Sequence, residues 1–277
     1  MLIKPIVDIR NPRHMLEDED VEDAKPHPIP IISIDLTIDT IDNMIIIPKT
    51  LSILQDQLPD MKPIGSVKID YPELYQPLTT EESIEKEEEE YDEDVQLYNA
   101  IAAQRLKTRY PVTGIPILAN GTTISLTIPH FVNTITYNIL ARALVKKFKP
   151  NQTWIVLSPC SMNNNQSINR LVIGQGVEQI YLPPLVESIP ILKPPHTITG
   201  ISAAIISQLN IMNESRVVGL VLNSEGQPGF EKSDNDAIID ACFVIGNILN
   251  IDDKEYMTRV SSSVRKFNGY SNSGMYI

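Results

Sequence analysis

The chain has 277 residues, 42% of them hydrophobic, with a formal net charge of -12 and a pI near 4.8. That length suits one large α/β domain or two small ones with a sizeable core. The acidic balance disfavours binding to a phosphate backbone, and no apolar run is long enough to span a membrane.

Residues 1–30 are rich in proline and charge and read as an extended N-terminal segment. The opening MLIKPIVDIRNPRHML puts prolines and charges where a signal peptide needs an unbroken apolar stretch. Two cysteines, Cys160 and Cys242, stand in no CxxC or Cys/His cluster, so neither a disulfide framework nor a zinc site is expected. Cys242 lies in AIIDACFVIGNIL and reads as a buried small hydrophobe. These features predict a reduced, intracellular, soluble protein.

From residue 31 onward one α/β domain is expected, ending near 268. IISIDLTI (31–38), NMIII (43–47) and IGSVKID (64–70) have the β-branched or alternating pattern of strands, and KTLSILQDQ between them suits a short helix. TTEESIEKEEEEYDED (79–94) holds ten carboxylates and one lysine. Such a segment cannot bury enough apolar surface to offset its ordering entropy, so a disordered insertion over about 79–96 is expected.

IPILANGTTISLTI (115–128) predicts a hairpin, with Asn120-Gly121 supplying the positive φ angles of a tight turn. FVNTITYNILARALVKKF (131–148) predicts a helix bracketed by Pro129 and Pro150. Its apolar face would hold Phe131, Ile135, Ile139, Leu140, Ala143, Leu144 and Phe148. TWIVLS (153–158) then has the short, continuous apolar character of a covered parallel strand. GISAAIISQLNIM (200–212) reads as helix, VVGLVLNS (217–224) as strand and DNDAIIDACFVIGNILNI (234–251) as helix. Asp234 and Asp236 are placed to cap and charge the start of that last helix. DDKEYMTRVSSSVRKF suits one more helix, and residues 269–277 form a small, polar, flexible tail. Strands alternating with helices predict an α/β fold. Its central sheet is mainly parallel, flanked by helices and extended by an antiparallel hairpin.

Catalytic signals are sparse. Gly174-Gln175-Gly176 lacks the third glycine of a dinucleotide fingerprint, and no GxxxxGK[ST] is present. His14, His27, His130 and His196 are scattered, and His130 is placed to cap the helix that follows. Gly200 at a helix start suits either an anion or close packing of helix on strand. Asn223-Ser224-Glu225-Gly226 follows a buried strand, where α/β enzymes place ligands, yet Ser224 is in no GxSxG elbow. Glu225 reads as a loop carboxylate, with a general base as the alternative. An enzyme would show convergent polar groups and perturbed titrating residues around that loop. A binding protein would show a plugged pocket, an exposed apolar face and a mobile tail.

The last residues, Met275-Tyr276-Ile277, carry a mechanism of their own. A terminal carboxylate offers two acceptor oxygens, a penultimate tyrosine gives a large ring with a polar tip, and methionine fills irregular gaps.

Three stretches in order resemble one family. They are Pro194-Pro195-His196-Thr197-Ile198-Thr199-Gly200 leading to Ser207-Gln208-Leu209, then Ser224-Glu225-Gly226-Gln227-Pro228-Gly229-Phe230-Glu231-Lys232, then the ending Met275-Tyr276-Ile277. Over about residues 115–277 the chain resembles the fungal proteasome assembly chaperone 1 family. The N-terminal half matches in outline, through its opening Met-Leu and its acidic region.

The resemblance implies a non-enzymatic chaperone, without cofactor or metal, in the cytoplasm and with the nucleus as a second location. It implies a heterodimer with proteasome assembly chaperone 2, seated on the outer face of the α ring of immature 20S core particle. The hydrophobic–tyrosine–any-residue ending would enter a pocket between α subunits, where a lysine pairs with the Ile277 carboxylate. Correct ring assembly would be promoted and premature activator binding blocked. Ser224, Glu225, Gly226 and Phe230 would form an interface loop or close a turn. The family is also similar to nucleoside-phosphorylase-like folds, which keeps a small-molecule enzyme with Glu225 near its site as the alternative.

Overall fold

The computed structural model describes residues 28–38, 40–75, 101, 103–173, 183–214, 216–251 and 254–272. Residues 1–27, the acidic block 79–94, Gly174-Gln175-Gly176 and Met275-Tyr276-Ile277 lie outside them.

Among the described residues nine strands form one sheet: β1 Ile31–Leu36, β2 Asn43–Pro48, β3 Lys62–Asp70, β4 Thr113–Asn120, β5 Thr123–Ile128, β6 Thr153–Cys160, β7 Ile168–Leu171, β8 Val217–Glu225 and β9 Lys232–Ser233. Their order is β1-β3-β4-β5-β2-β6-β8-β7, with β9 beside β8. The centre, β5-β2-β6-β8, is parallel. Its β2, β6 and β8 are nearly continuous buried apolar runs, as strands covered on both faces must be. The flanks are antiparallel: β1-β3-β4-β5 on one side and β7-β8 on the other. β4 alternates buried and exposed residues, so its side chains divide between core and solvent with a period of two.

Helices cover both faces: α1 Ser52–Gln57, after a 3-10 turn at Lys49–Leu51, α2 Thr134–Lys147, α3 Pro184–Ser188, α4 Gly200–Ile211, α5 Asn235–Ile248 and α6 Lys254–Asn272. Successive residues of β2 point to opposite layers. Met44 and Ile46 join Leu140 and Leu144 of α2 and Ile205 and Leu209 of α4. Ile45 and Ile47 join Leu54 of α1, Cys242 and Ile245 of α5, and Tyr256, Val260 and Val264 of α6. Each such fully buried side chain contributes roughly 1.5–3 kcal/mol of transfer free energy, and two layers of them hold the sheet between its helices.

Four local expectations are corrected. In the hairpin, Asn120 ends β4 and pairs with Thr123, so the two-residue loop is Gly121-Thr122. Only Gly121 of these has a positive φ, 56°, which suits the first central position of a II′-like turn. Helix α2 begins at Thr134, capped by Asn133 Oδ1, which accepts from the Ile135 N–H at 3.0 Å. His130 is not the cap.

The buried face of α2 is also rotated from the hydrophobic stripe. Thr136 and Tyr137 are inside while Ile135 is 44% exposed. Hydroxyl bonding allows this, since Thr136 Oγ1 meets Tyr71 Oη at 3.1 Å and Tyr137 finds two partners of its own. Asp234 stands at the N-cap of α5 without capping it. Its Oδ2 instead accepts from Asn223 Nδ2 at 2.7 Å, tying the helix start to the end of β8.

Helix α6 continues to Asn272, past the expected domain boundary. β7, α3 and β9, of five residues or fewer, were not expected, nor were the helical turn at Pro72–Tyr75 and the helical residues 103–109. Among the described residues no helix is long and apolar enough to cross a membrane.

Candidate functional site

Strands β2, β5 and β6 end side by side, at Pro48, Ile128 and Pro159–Cys160, and a cavity of about 470 Å³ opens there. The carboxyl edge of a parallel sheet is where the strand order reverses and helices diverge, which leaves space. The first turn of α2 (Thr134, Tyr137) and the N-terminal half of α4 (Gly200, Ile201, Ala204) form two walls. Residues 129–132 and Pro228, Gly229 and Glu231 of the β8–β9 loop form the rim. The volume lies within the range of ligand pockets, and the lining is largely apolar.

One polar cluster stands in the rim. The Phe131 N–H donates to Tyr137 Oη at 2.8 Å, and His130 Nδ1 lies 3.0 Å from the same oxygen. Burial pushes the Tyr137 hydroxyl above its ordinary value, the Phe131 N–H pulls it back, and the Glu231 carboxylate adds a further upward push. The tyrosine therefore stays protonated at neutral pH. Thr50 Oγ1, also at the cavity, is buried with no hydrogen-bond partner among the described residues. Helix α4 starts at Thr199 without a side-chain cap bond. Gly200 has φ 65° and nothing nearer than Tyr137 Cζ at 4.0 Å from a built Cβ, so its backbone angle, rather than close packing, accounts for the glycine.

The loop singled out by sequence is adjacent but turned away. Ser224 is buried at the end of β8; its hydroxyl donates to Leu222 O at 3.1 Å and meets Ser233 Oγ at 2.6 Å. That hydroxyl pair closes the β8–β9 hairpin. Glu225 is exposed and pairs in register with Lys232; it does not line the cavity. An enzyme centred on Glu225 is thus not what this geometry provides. Gly226 has φ 120°, and a Cβ built on it would fall 3.0 Å from Phe230 O. Phe230 is 79% exposed, its ring 6.2 Å from that of His130.

Among the loop residues, sequence reading missed that Pro228, Gly229 and Glu231 are the ones that reach the cavity, and it missed Tyr137 altogether. Tyr137 looked like an ordinary helix residue, and only the loop folding back over it makes it part of a rim. The cavity is open among the described residues, not plugged as a binding protein was expected to have it. Exposed Val132 is part of its lining, and the exposed ring of Phe230 lies 6.2 Å from that of His130 in the rim. The arrangement can hold apolar surface and one or two hydrogen bonds. Among the described residues no group of three His, Cys, Asp or Glu is placed to hold a metal ion.

A family model described as POC1 chaperone matches residues 1–277, the whole chain. No curated protein matches the sequence. Among solved structures, one crystal form of Pyrococcus furiosus PbaA, an archaeal homolog of proteasome-assembly chaperone, superposes with a TM-score of 0.52 at 17% identity, over 90% of this chain and 93% of that one. A second PbaA structure gives 0.50 at 16% identity, over 88% and 99%. A PAC2 family protein from Streptomyces avermitilis gives 0.44 at 10%, over 84% and 95%. At such identities the PbaA superpositions speak for the fold.

Proposed function

The chain belongs to the POC1 chaperone family, and from that membership we propose that it chaperones assembly of the 20S proteasome core particle. It heterodimerises with proteasome assembly chaperone 2, a second α/β subunit, and sits on the outer face of the α ring of the immature particle. Its C-terminal Met275-Tyr276-Ile277 enters a pocket between adjacent α subunits. Seated there, it favours correct ring assembly and excludes activators that use the same kind of tail. It works in the cytoplasm and nucleus, without catalysis.

The observation that carries this is the match to the family along residues 1–277, a sequence whose last residues are Met275-Tyr276-Ile277. The PbaA likeness supports the scaffold. The ending supports the docking mode, because a carboxylate presented on a short segment forms charge-assisted bonds that a folded surface cannot offer. Ile277 lies five positions beyond the end of α6 at Asn272. Two such tails on one heterodimer raise each other's effective concentration, so binding is tight while both fit and weak once either is lost. A loss of ~1.4 kcal/mol at one tail weakens binding about tenfold.

The test is affinity purification of the tagged full-length protein beside one lacking Met275-Tyr276-Ile277, with mass spectrometry of the co-purifying chains. Full-length protein is expected to bring a second α/β subunit and α-ring subunits, and the truncation to lose the ring subunits alone. Equal recovery of ring subunits by both would refute the docking mode. Recovery of none by either would refute the proteasome assignment.

A further inference from the structure

The cavity at the carboxyl ends of β2, β5 and β6 is largely apolar and open, with exposed Val132 in its lining. We propose that its occupant is the chain's own N-terminal segment, residues 1–16, folding back so that the apolar side chains between Leu2 and Ile9 fill it.

Where the described chain begins supports this. Pro28 is buried, and its carbonyl accepts from Asn133 Nδ2 at 3.1 Å. Asn133 lies between Val132 and Thr134, both of which line the cavity. The 27 residues before Pro28 therefore start beside the cavity mouth. At up to about 3.3 Å per extended residue, the stretch from Pro28 back to Ile9 has far more reach than it needs. A tether of this length keeps its far end at an effective concentration on the order of millimolar.

The composition of the segment matches the site. MLIKPIVDI places Leu2, Ile3, Ile6, Val7 and Ile9 within nine residues, an apolar density unlike the acidic EDEDVED that follows. Pro5 and Pro12 disfavour a helix, leaving an extended segment whose alternate residues face one side. Charge agrees as well. Residues 1–16 carry Lys4, Arg10 and Arg13 against one Asp8, in a chain of net charge -12. Glu231 stands in the cavity rim with no ion pair to a described residue, and it already bears on Tyr137. A lysine flanked by isoleucine and proline is suited to meet that carboxylate while its neighbours enter the apolar space. The site so filled is the plugged pocket expected of a binding protein. This inference is independent of how the C-terminal tail docks.

The test uses the full-length chain. Amide hydrogen exchange is compared between the wild type and an Ile6→Asp, Val7→Asp variant, whose substitutions lie outside the described fold. Amides at 131–133 and 200–203, around the cavity, are expected to exchange at least fivefold faster in the variant, with those of β2 and β6 unchanged. Unchanged exchange at the cavity overturns the proposal.

A second measurement separates a segment acting within one chain from one donated by another. Ile6→Cys with Ala203→Cys, under mild oxidation, is expected to give a disulfide within one chain at a yield independent of protein concentration. Native Cys160 and Cys242 are buried and leave the background low. A link formed only between chains overturns the proposal in favour of a second copy as occupant.

Discussion

Replacing Gly229 by alanine tests the contact that joins the β8–β9 loop to the cavity rim. Gly229 has φ 88°, and a Cβ built on it would fall 2.5 Å from His130 Nδ1 and 2.6 Å from its Cγ. Holding a residue with a side chain at such an angle costs about 1–3 kcal/mol. The overlap must be relieved too. The His130 ring is on the surface and can swing away, but then it leaves Tyr137 Oη, 3.0 Å from its Nδ1. That hydrogen bond is worth about 0.5–1.5 kcal/mol.

Gly229→Ala is therefore expected to cost about 2–4 kcal/mol in urea unfolding, with a Tm lower by about 2–4 °C per kcal/mol. In a His130→Ala background the overlap and the hydrogen bond are already gone. Only the backbone cost should remain, so the same substitution should cost about 1 kcal/mol less there. Equal costs in the two backgrounds would refute the contact with His130. A cost below about 0.5 kcal/mol in the wild type would refute the backbone argument as well.

Two further outcomes follow from the packing. Tyr137→Phe removes the oxygen that accepts from the buried Phe131 N–H; leaving that donor unpaired is expected to cost about 1–3 kcal/mol in chemical denaturation, with helix content by circular dichroism unchanged. Alkaline stability should be set by the α5–α6 layer. Burial pushes the Cys242 thiol from 9.0 up to about 12, and burial likewise raises the Tyr256 hydroxyl, which donates to Cys242 O at 3.3 Å. Both groups ionise more readily in the unfolded chain, so their contribution is complete below pH 9 and is lost as pH rises from there toward 12. The slope for the thiol alone approaches about 1.4 kcal/mol per pH unit. Thermal unfolding measured from pH 8 to 11 should show it, and Cys242→Ala should delay the decline to the range where tyrosine ionises; an unchanged profile would contradict the role given to the thiol.

Much of the scaffold was legible because burial on both faces leaves a plain signature. TWIVLS and VVGLVLNS are apolar runs that a covered central strand hides, and they became β6 and β8 in a parallel group; NMIII showed only the β-branched signal of a strand and was expected with the antiparallel extension, whereas as β2 it lies in the parallel centre. Their spacing by helix-length amphipathic segments made an α/β sheet the natural arrangement. The family, too, could be reached through matched stretches at Pro194–Gly200 and Ser224–Lys232. Short elements escaped: β9 has two residues, too few to carry a periodic signal, and is seen only through its pairing with β8, which the Ser224–Ser233 hydroxyl contact accompanies.

Side-chain hydrophobicity alone predicted the wrong face for α2. It ranked Ile135 inward, whereas Tyr137 and Thr136 are the buried ones. A hydroxyl counts against burial until its partner is known, and those partners lie outside the helix: His130 and Phe131 just before it and Tyr71 in a distant segment. The same holds for Asp234, which had every local mark of a cap but answers to Asn223 eleven residues earlier.

The sequence by itself determined what depends on neighbours along the chain: strand and helix identity, the parallel centre, the acidic block and the Met-Tyr-Ile ending. Only the tertiary structure decided what depends on where different segments end. It brought Pro48, Ile128 and Pro159 to one edge, folded Gly229 against His130, and set Pro28 on Asn133 at the mouth of the cavity. None of these approaches has a local preference behind it, because each is fixed by sheet order and by hydrogen bonds between segments as much as 105 residues apart.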